Sequence, residues 1–298
     1  MFLNKFLDPK NNFAFQKIFG TEKNKDILIQ FLNDILVFKH PQPIEDVTFL
    51  KTIQDPDIAA QKTSIVDVLC RDSVGHTYVV EMQIAYEKGF EKRAQYYAAK
   101  AYTSQMLVGE KYKDLKEVIF LAIADFVMFP EKESYKSDHV ILDRETYDHD
   151  LKDFSFTFLE LPKFKKSFEE LSTPVEQWMY FFKNAPETQE KDLSKTGLYP
   201  IMERAYEELN RFSWKEEELL TYDQSQKYRG AYLASMEHEF DKGVEKGREE
   251  GKEIGREEGR EEGIAFAIKQ LLGVMSISEI ATYLKMDEET VRRLSSQI

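Results

Sequence analysis

Residues 65–83 read IVDVLCRDSVGHTYVVEMQ and predict a β-hairpin. Two runs rich in β-forming residues, 65–71 and 77–83, lie on either side of a short polar segment. Within that segment, Ser73-Val74-Gly75 suits a three-residue loop whose glycine takes the left-handed backbone conformation. The sequence therefore predicts two antiparallel strands joined by a tight turn.

The predicted turn determines which residues face each other across the hairpin. If Asp72 pairs with His76, counting back along both strands places Asp67 opposite Glu81. Side chains directly opposite each other on antiparallel strands have Cβ atoms about 4.5–5.5 Å apart. Gln83 lies two residues beyond Glu81 and therefore points to the same face. We expect these three polar side chains to cluster on an otherwise apolar hairpin.

Two carboxylates held this close together favour a bound cation. Their charges repel each other, so one pKa is raised unless a cation lies between Asp67 and Glu81. Mg²⁺ suits such a pair because it takes one or two carboxylates, keeps several waters and contacts substrate phosphates. The backbone carbonyl of Met82 is a candidate third ligand. The alternative is a pair of solvent-facing acids on a half-exposed sheet.

The elements around the hairpin predict an α/β fold with a mixed β-sheet flanked by helices and a helical C-terminal extension. Residues 118–126 are almost wholly apolar, as is typical of a strand buried on both faces. Amphipathic helices are predicted within residues 9–40 and 88–109, and strands at 44–53, 63–71, 77–86, 118–126, 139–142 and 154–161. The predicted parts are a core at 1–165, a helical extension at 166–236, a Gly/Glu-rich helical or linker repeat at 237–263 and a small helical tail at 264–298.

Composition excludes several classes of protein. Five glycines precede residue 230 and none forms a phosphate-binding loop, which removes nucleotide-binding P-loop and dinucleotide folds. A single cysteine, Cys70, excludes an internal disulfide framework and fits a cytoplasmic setting. No segment has the length and apolarity of a membrane span, so we expect no membrane association. The net charge of −13 argues against nucleic-acid binding spread over the whole surface, although a metal site neutralises phosphate locally.

Residues 243–263 form a repeat, GVEKGREEGKEIGREEGREEG, with glycine at every fourth position. On a helix these six glycines form one slowly winding stripe. Each glycine destabilises an isolated helix by about 1 kcal/mol relative to alanine, whereas a stripe without side chains lets a second helix approach closely. We therefore predict either a frayed linker or a helix that associates with a second copy of the chain. A solvated spacer is the alternative.

The last residues, 264–298, predict a compact helical tail. Ser278 and Asp287 are candidate N-caps of two short helices. Their layout is similar to a helix-turn-helix, but only Arg292 and Arg293 offer phosphate contacts there. A helical hairpin that serves packing is the favoured interpretation, and a DNA-reading motif is the alternative.

The hairpin and its flanks resemble a known family. Asp67 followed by Glu81-x-Gln83 is similar to the PD-(D/E)XK nuclease motif, in the variant with glutamine in place of lysine. The flanks resemble the Rpn family of recombination-promoting nucleases and transposases, through PKNNFAFQKIFG at 9–20 and RAQYY at 93–97. The resemblance is collinear over nearly the whole chain. It implies a restriction-endonuclease-like core and a metal-dependent nuclease.

The resemblance also implies roles for single residues. Asp67 and Glu81 would bind the metal, and Gln83 would orient the attacking water or contact the scissile phosphate. Gln83 cannot act as lysine does, because an amide carries no charge.

Three further positions have open roles. Arg93 and Tyr97, one helical turn apart, would hold a phosphate or support the acids; packing is an equal alternative. Asn12 departs from the family pattern, in which an acid is frequent, and an acidic turn at 55–57 is a candidate replacement.

Three hypotheses for function follow. The leading one is a Mg²⁺-dependent DNA endonuclease that hydrolyses phosphodiester bonds in recombination or in a mobile element, and that forms homo-oligomers through its Gly/Glu-rich region. The alternative is a weakly active or inactive nuclease-fold protein that binds DNA or drives assembly. A third and weaker hypothesis is a regulator that acts through the C-terminal helices.

Overall fold

The computed structural model describes residues 4–36, 43–54, 64–106, 111–193 and 198–296. A six-stranded mixed sheet forms the centre of the first part of the chain, with strand order β1-β4-β5-β6-β8-β7. A separate antiparallel pair consists of β2 and β3. The strands are β1 Val47–Phe49, β2 Ile53–Gln54, β3 Ser64–Ile65, β4 Val68–Asp72, β5 Thr77–Gln83, β6 Val118–Ala124, β7 Lys136–Val140 and β8 Phe154–Glu160.

The predicted hairpin turn and its register are confirmed. The backbone N–H of Asp72 donates to the carbonyl of His76 at 3.0 Å, and Gly75 has a φ of +103°. Asp72 also accepts hydrogen bonds at Oδ1 from three backbone N–H groups of the loop. Val68, the first residue of β4, pairs with Val80. One residue further in the same register, Asp67, just before β4, lies opposite Glu81.

Strand β6 is the middle of the sheet and runs parallel to both of its neighbours, β5 and β8. All seven of its residues are buried, which explains its almost wholly apolar sequence. Because side chains alternate along a strand, the sheet separates two cores. Val80, Met82 and Ile123 belong to the larger core, and Val79, Phe120 and Ala122 belong to the smaller one.

Helices cover both faces of the sheet. The smaller core contains α3, Phe90–Thr103. The larger core contains α1 Asn12–Phe19, α2 Lys25–Ile35, α4 Pro174–Asn184 and α6 Pro200–Glu208, with a short α5 at Glu190–Leu193. Aromatic rings dominate it: the rings of Phe31 and Trp178 lie 5.1 Å apart, edge to face. This arrangement buries a large apolar area on each side of the sheet.

Several predicted bounds were wrong. The predicted strand at 44–53 is divided into β1 and β2, because β2 leaves the main sheet to pair with β3. Strand β7 begins at Lys136 rather than 139, because it follows the register of β8 from that residue onward. The acidic turn at 55–57 lies outside the described residues.

Two compact units divide the chain, Met1–Arg229 and Gly230–Ile298, and the boundary falls within α7, Glu216–Leu272. This 57-residue helix contains the whole glycine repeat. At its end, α8 Ile277–Leu284 and α9 Glu288–Ser295 pack against it through a small apolar cluster. Ser276 rather than Ser278 caps α8, because it forms a reciprocal capping box with Glu279. No helix among the described residues is long and apolar enough to span a membrane.

Candidate metal-binding and nuclease site

The hairpin brings Asp67 and Glu81 together at the end of β5. Leu69 and Val79, at alternate positions from them, belong to the core beneath α3, so both carboxylates lie on that face. The carboxylate of Asp67 accepts a hydrogen bond from the backbone N–H of Met82 at 2.8 Å. This bond ties Asp67 to the backbone beside Glu81, and the hairpin register sets the two acids face to face.

Burial makes the negative charge of both acids unfavourable. Glu81 is 6% exposed, and burial together with the neighbouring charge of Asp67 raises its pKa well above the ordinary range. Burial also raises the pKa of Asp67 to about 6, although the hydrogen bond from Met82 opposes this change. Without a nearby cation, the pair therefore holds protons that isolated carboxylic acids would release.

Arg93 is the basic side chain that acts on both acids. Its positive charge lowers the pKa of Asp67 and that of Glu81. Its guanidinium donates one hydrogen bond to Gln83 Oε1 at 2.6 Å and another to Glu87 Oε2 at 2.5 Å. The Nε2 amide of Gln83 donates to the carbonyl of Ala85 at 3.0 Å. Gln83 is thus bonded at both ends of its amide and holds Arg93 in place.

Tyr97 lies one turn beyond Arg93 on α3 and is half-buried near the acids. Its ring centroid is 5.9 Å from the guanidinium carbon of Arg93. Burial raises the pKa of Tyr97, the charge of Arg93 lowers it, and the charges of Glu81 and Asp67 raise it further. Arg93 and Tyr97 therefore share the environment of the carboxylate pair.

Asn12 has a different location. It is exposed at the first residue of α1, and the buried residues of that helix belong to the larger core on the other face of the sheet. Its neighbour Asn11 caps α1 by accepting hydrogen bonds from Phe13 and Ala14. The structure brings Asp67, Glu81, Gln83, Arg93 and Tyr97 together, and it does not show Asn12 in contact with them.

The donor set fits a divalent cation. Oxygen Oε1 of Glu81 is buried without a hydrogen-bond partner among the described residues, which is costly unless an ion or water takes that place. The same part of the chain contains no cluster of three or more histidine, cysteine or acidic residues suited to a metal. Two carboxylates are nevertheless the number that Mg²⁺ commonly takes from protein. Asp67, Glu81 and the Met82 carbonyl remain the predicted ligands.

The sequence prediction missed two neighbours of this site. Glu87, the partner of Arg93, precedes α3 in an irregular segment that carries no periodic pattern. Asp125 follows β6, and its backbone N–H donates to the carbonyl of Gln83 at 2.9 Å. Only the parallel register of β5 and β6 shows that Asp125 lies beside Gln83.

The mixed sheet, the helices on both faces and the acid pair on a hairpin define a restriction-endonuclease-like α/β fold. The family of PD-(D/E)XK nuclease family transposases matches residues 9–237. The chain belongs to that family, whose nucleases generally use divalent cations. Comparisons with curated proteins and with solved structures gave no match.

Proposed function

We propose that this chain is a Mg²⁺-dependent DNA endonuclease that hydrolyses phosphodiester bonds in recombination or in a mobile element. The observation that carries the proposal is the facing pair of a partly buried Asp67 and a buried Glu81, whose closeness a divalent cation would stabilise. Family membership supports the nuclease class and DNA as the substrate.

Asp67, Glu81 and the Met82 carbonyl would hold the cation. When bound, the ion supplies Lewis-acid activation of a phosphoryl oxygen and a bound water of lowered pKa. The chain itself supplies a fixed positive charge, because Gln83 and Glu87 orient the guanidinium of Arg93 beside the acids. A preorganised donor of this kind stabilises the negative charge that develops on the phosphoryl group.

Arg93 also accounts for the glutamine in the motif. Lysine at this position would place a charge next to the acids, whereas Gln83 carries none. Gln83 instead accepts a hydrogen bond from Arg93, whose charge acts on both Asp67 and Glu81. In this proposal, Gln83 is a positioning residue and Arg93 provides the cationic group of the site.

A plasmid assay tests the proposal. Supercoiled plasmid should be nicked or linearised by the purified protein with Mg²⁺ and left intact with EDTA. Asp67→Asn, which keeps the side-chain shape but removes the charge, should abolish cleavage. Glu145→Gln, at an exposed position on a distant loop, is the matched control and should cleave as the wild type does. Equal cleavage by wild type and Asp67→Asn would show that the activity belongs to a contaminant.

A nuclease-fold protein that binds DNA or assembles without turnover is the second candidate. The specific observation in its favour is Gln83, whose uncharged amide is already bonded at both ends. This candidate predicts DNA binding that divalent metal does not change and no cleavage at high protein concentration. The nuclease proposal predicts instead that divalent metal changes DNA binding and that the protein cleaves DNA.

The C-terminal helices give little support to a DNA-reading role. In a helix-turn-helix, the N-terminal residues of the second helix contact base edges. The first turn of α9 carries Glu288 and Glu289, and Asp287 caps it. These carboxylates would be brought against phosphates. Deleting residues 264–298 should therefore leave DNA binding largely intact, whereas the regulator hypothesis expects that binding to be lost.

The same proposal includes self-association through the Gly/Glu-rich part of α7. At each of the six glycines from Gly243 to Gly263, no described atom beyond the adjacent residues and nearby backbone of α7 itself lies within 4 Å of where a Cβ would be. A second copy of the helix is the partner that such an open face would accept at close range.

A further inference from the structure

A cluster of basic side chains lies at the carboxyl edge of the sheet, beside the candidate nuclease site. We name it the basic rim and define it as Lys10, Lys165, Lys183 and Arg229. Strands β5, β6 and β8 are parallel, so their carboxyl ends meet at this edge. Asp125, which follows β6, joins the rim to the site because its backbone N–H donates to the carbonyl of Gln83 at 2.9 Å.

The contacts of the rim centre on Asp125. Lys10 Nζ lies 3.0 Å from Asp125 Oδ2, and Arg229 Nη2 lies 3.5 Å from the same oxygen. Arg229 also pairs with Asp8 at 2.7 Å. Lys183 donates to the carbonyl of Phe164, one residue before Lys165. The rim thus combines elements that are far apart in sequence: the loop before α1, the end of β6, the segment after β8, and helices α4 and α7.

The rim carries more positive than negative charge. Its four cations are compensated by two carboxylates, Asp8 and Asp125, and Lys165 has no carboxylate partner among the described residues. Burial lowers the pKa of Lys183, and the charges of Lys165 and Lys10 lower it further while Asp125 opposes them. Like charges are therefore held within range of one another, on a chain whose net charge is −13.

A polyanion is the partner that stabilises such a surface. Lysine and arginine contacts to phosphates supply most of the sequence-independent affinity of proteins for DNA. The overall charge of this chain repels DNA, so a local excess of cations is needed where the strand approaches the acids. Lys10 and Arg229 contact Asp125, whose backbone is bonded to that of Gln83, so the rim provides this excess near the end of β5.

We propose that the basic rim binds DNA phosphates that flank the bond to be cleaved. The inference rests on the proposed function for its choice of ligand, but it concerns binding rather than turnover. A strand held at the rim would continue across the end of β5 toward Asp67 and Glu81. The rim residues position the substrate and take no part in the chemical step.

Charge reversal at Lys165 tests the rim with the full-length protein. Lys165 is exposed, so Lys165→Glu should fold normally. Lys152→Glu is the matched control, because Lys152 is also exposed and lies just before β8, at the opposite end of that strand. Binding of a fluorescein-labelled DNA duplex is measured by anisotropy in EDTA over a range of salt concentrations.

Lys165→Glu should weaken binding severalfold and lower the slope of log affinity against log salt by about one. Lys183→Gln should weaken binding in the same direction, and Lys152→Glu should bind as the wild type does. Equal weakening by Lys165→Glu and Lys152→Glu would show that only net charge matters and would overturn the rim. Tighter binding of an RNA duplex of the same sequence would overturn the assignment to DNA.

Cleavage assays separate this inference from the proposed function. Loss of binding in Lys165→Glu, together with a wild type that never cleaves, supports the rim and rejects the nuclease. A wild type that cleaves, together with a Lys165→Glu variant that binds and cleaves equally well, rejects the rim alone. A wild type that neither binds DNA in EDTA nor cleaves plasmid with Mg²⁺ rejects both.

Discussion

At the scale of single residues, the facing acids Asp67 and Glu81 couple protonation and metal binding to stability. The ordinary pKa of an aspartate is 3.8 and that of Asp67 is about 6, so in this interval the folded protein holds a proton that the unfolded chain has lost. The free energy of unfolding of the metal-free protein should therefore fall as pH rises from about 4 to about 6. Asp67→Asn should reduce this decline.

Divalent metal should restore the stability that the metal-free protein loses at neutral pH, because a cation that binds only the folded state stabilises it. At a hundredfold excess over Kd the gain is about 2.7 kcal/mol. Thermal unfolding with EDTA and with Mg²⁺, at pH 5 and pH 7.5, measures both effects. We expect a larger shift at pH 7.5, because protons compete with the ion at pH 5. An equal Mg²⁺ shift in Asp67→Asn would show that the ion binds elsewhere.

The proposed roles of Gln83, which positions Arg93, and of Arg93, which supplies positive charge, give a second prediction at the scale of residues. Arg93→Gln removes the charge beside the acids and should lower kcat by about 10²–10³, as loss of one preorganised donor does in other enzymes. The double variant Gln83→Lys with Arg93→Gln returns a charge to the motif and should recover part of the activity. If the double variant recovers no activity while its fold is intact by circular dichroism, Arg93 is not the side chain that supplies positive charge to the site.

At the scale of elements, the hairpin turn sets the register that places Asp67 opposite Glu81. Gly75 has a φ of +103°, and a Cβ there would lie 3.0 Å from the side chain of Lys116. Gly75→Ala should therefore destabilise the protein, by about 1–2 kcal/mol from backbone strain alone. Gly230→Ala, on a helix with nothing within 4 Å, should instead stabilise it by about 1 kcal/mol. Urea unfolding of both variants gives the comparison, and a stable Gly75→Ala variant would show that the turn tolerates another conformation.

The hairpin was predictable because its information is local. A loop of three residues and a side-chain period of two are both contained in residues 65–83, and they are sufficient to pair Asp67 with Glu81. The continuous apolar run of β6 was predictable for a similar reason. By contrast, the bonds from Arg93 to Gln83 and Glu87 depend on how α3 lies over the sheet. The contact of Lys10 with Asp125 joins residues far apart in the chain, and no spacing in the sequence indicates it.

At the scale of the whole molecule, acidic residues outnumber basic ones by 54 to 41. The net charge of −13 would oppose DNA at most of the surface. Arg93 lies on the α3 face and the basic rim on the other side of the same sheet edge, so cations flank the end of β5 from both cores. This distribution favours DNA approaching along one edge, with binding that weakens steeply as salt rises.

Self-association is the remaining property of the whole molecule. The pattern of charge along α7 predicts whether two associated copies of the helix are parallel or antiparallel. Successive residues on a helix turn by about 100°, so Arg248, Lys252, Arg256 and Arg260 lie on one side of the glycine stripe. The other side carries Glu250, Glu258 and Glu262 together with Lys246, and is acidic in sum. Two parallel copies that meet at the stripe would bring the basic side of each against the acidic side of its partner. An antiparallel pair would bring like charges together.

Substitutions at one glycine test this association. Gly251→Ala should stabilise the isolated helix by about 1 kcal/mol and allow close approach, whereas Gly251→Leu should keep the helix but separate the pair. Light scattering should therefore show an oligomer for the wild type and for Gly251→Ala, and a lower mass for Gly251→Leu. An identical mass for all three would show that the glycine face has no role in assembly. In that case the open face of α7 would act only as a spacer.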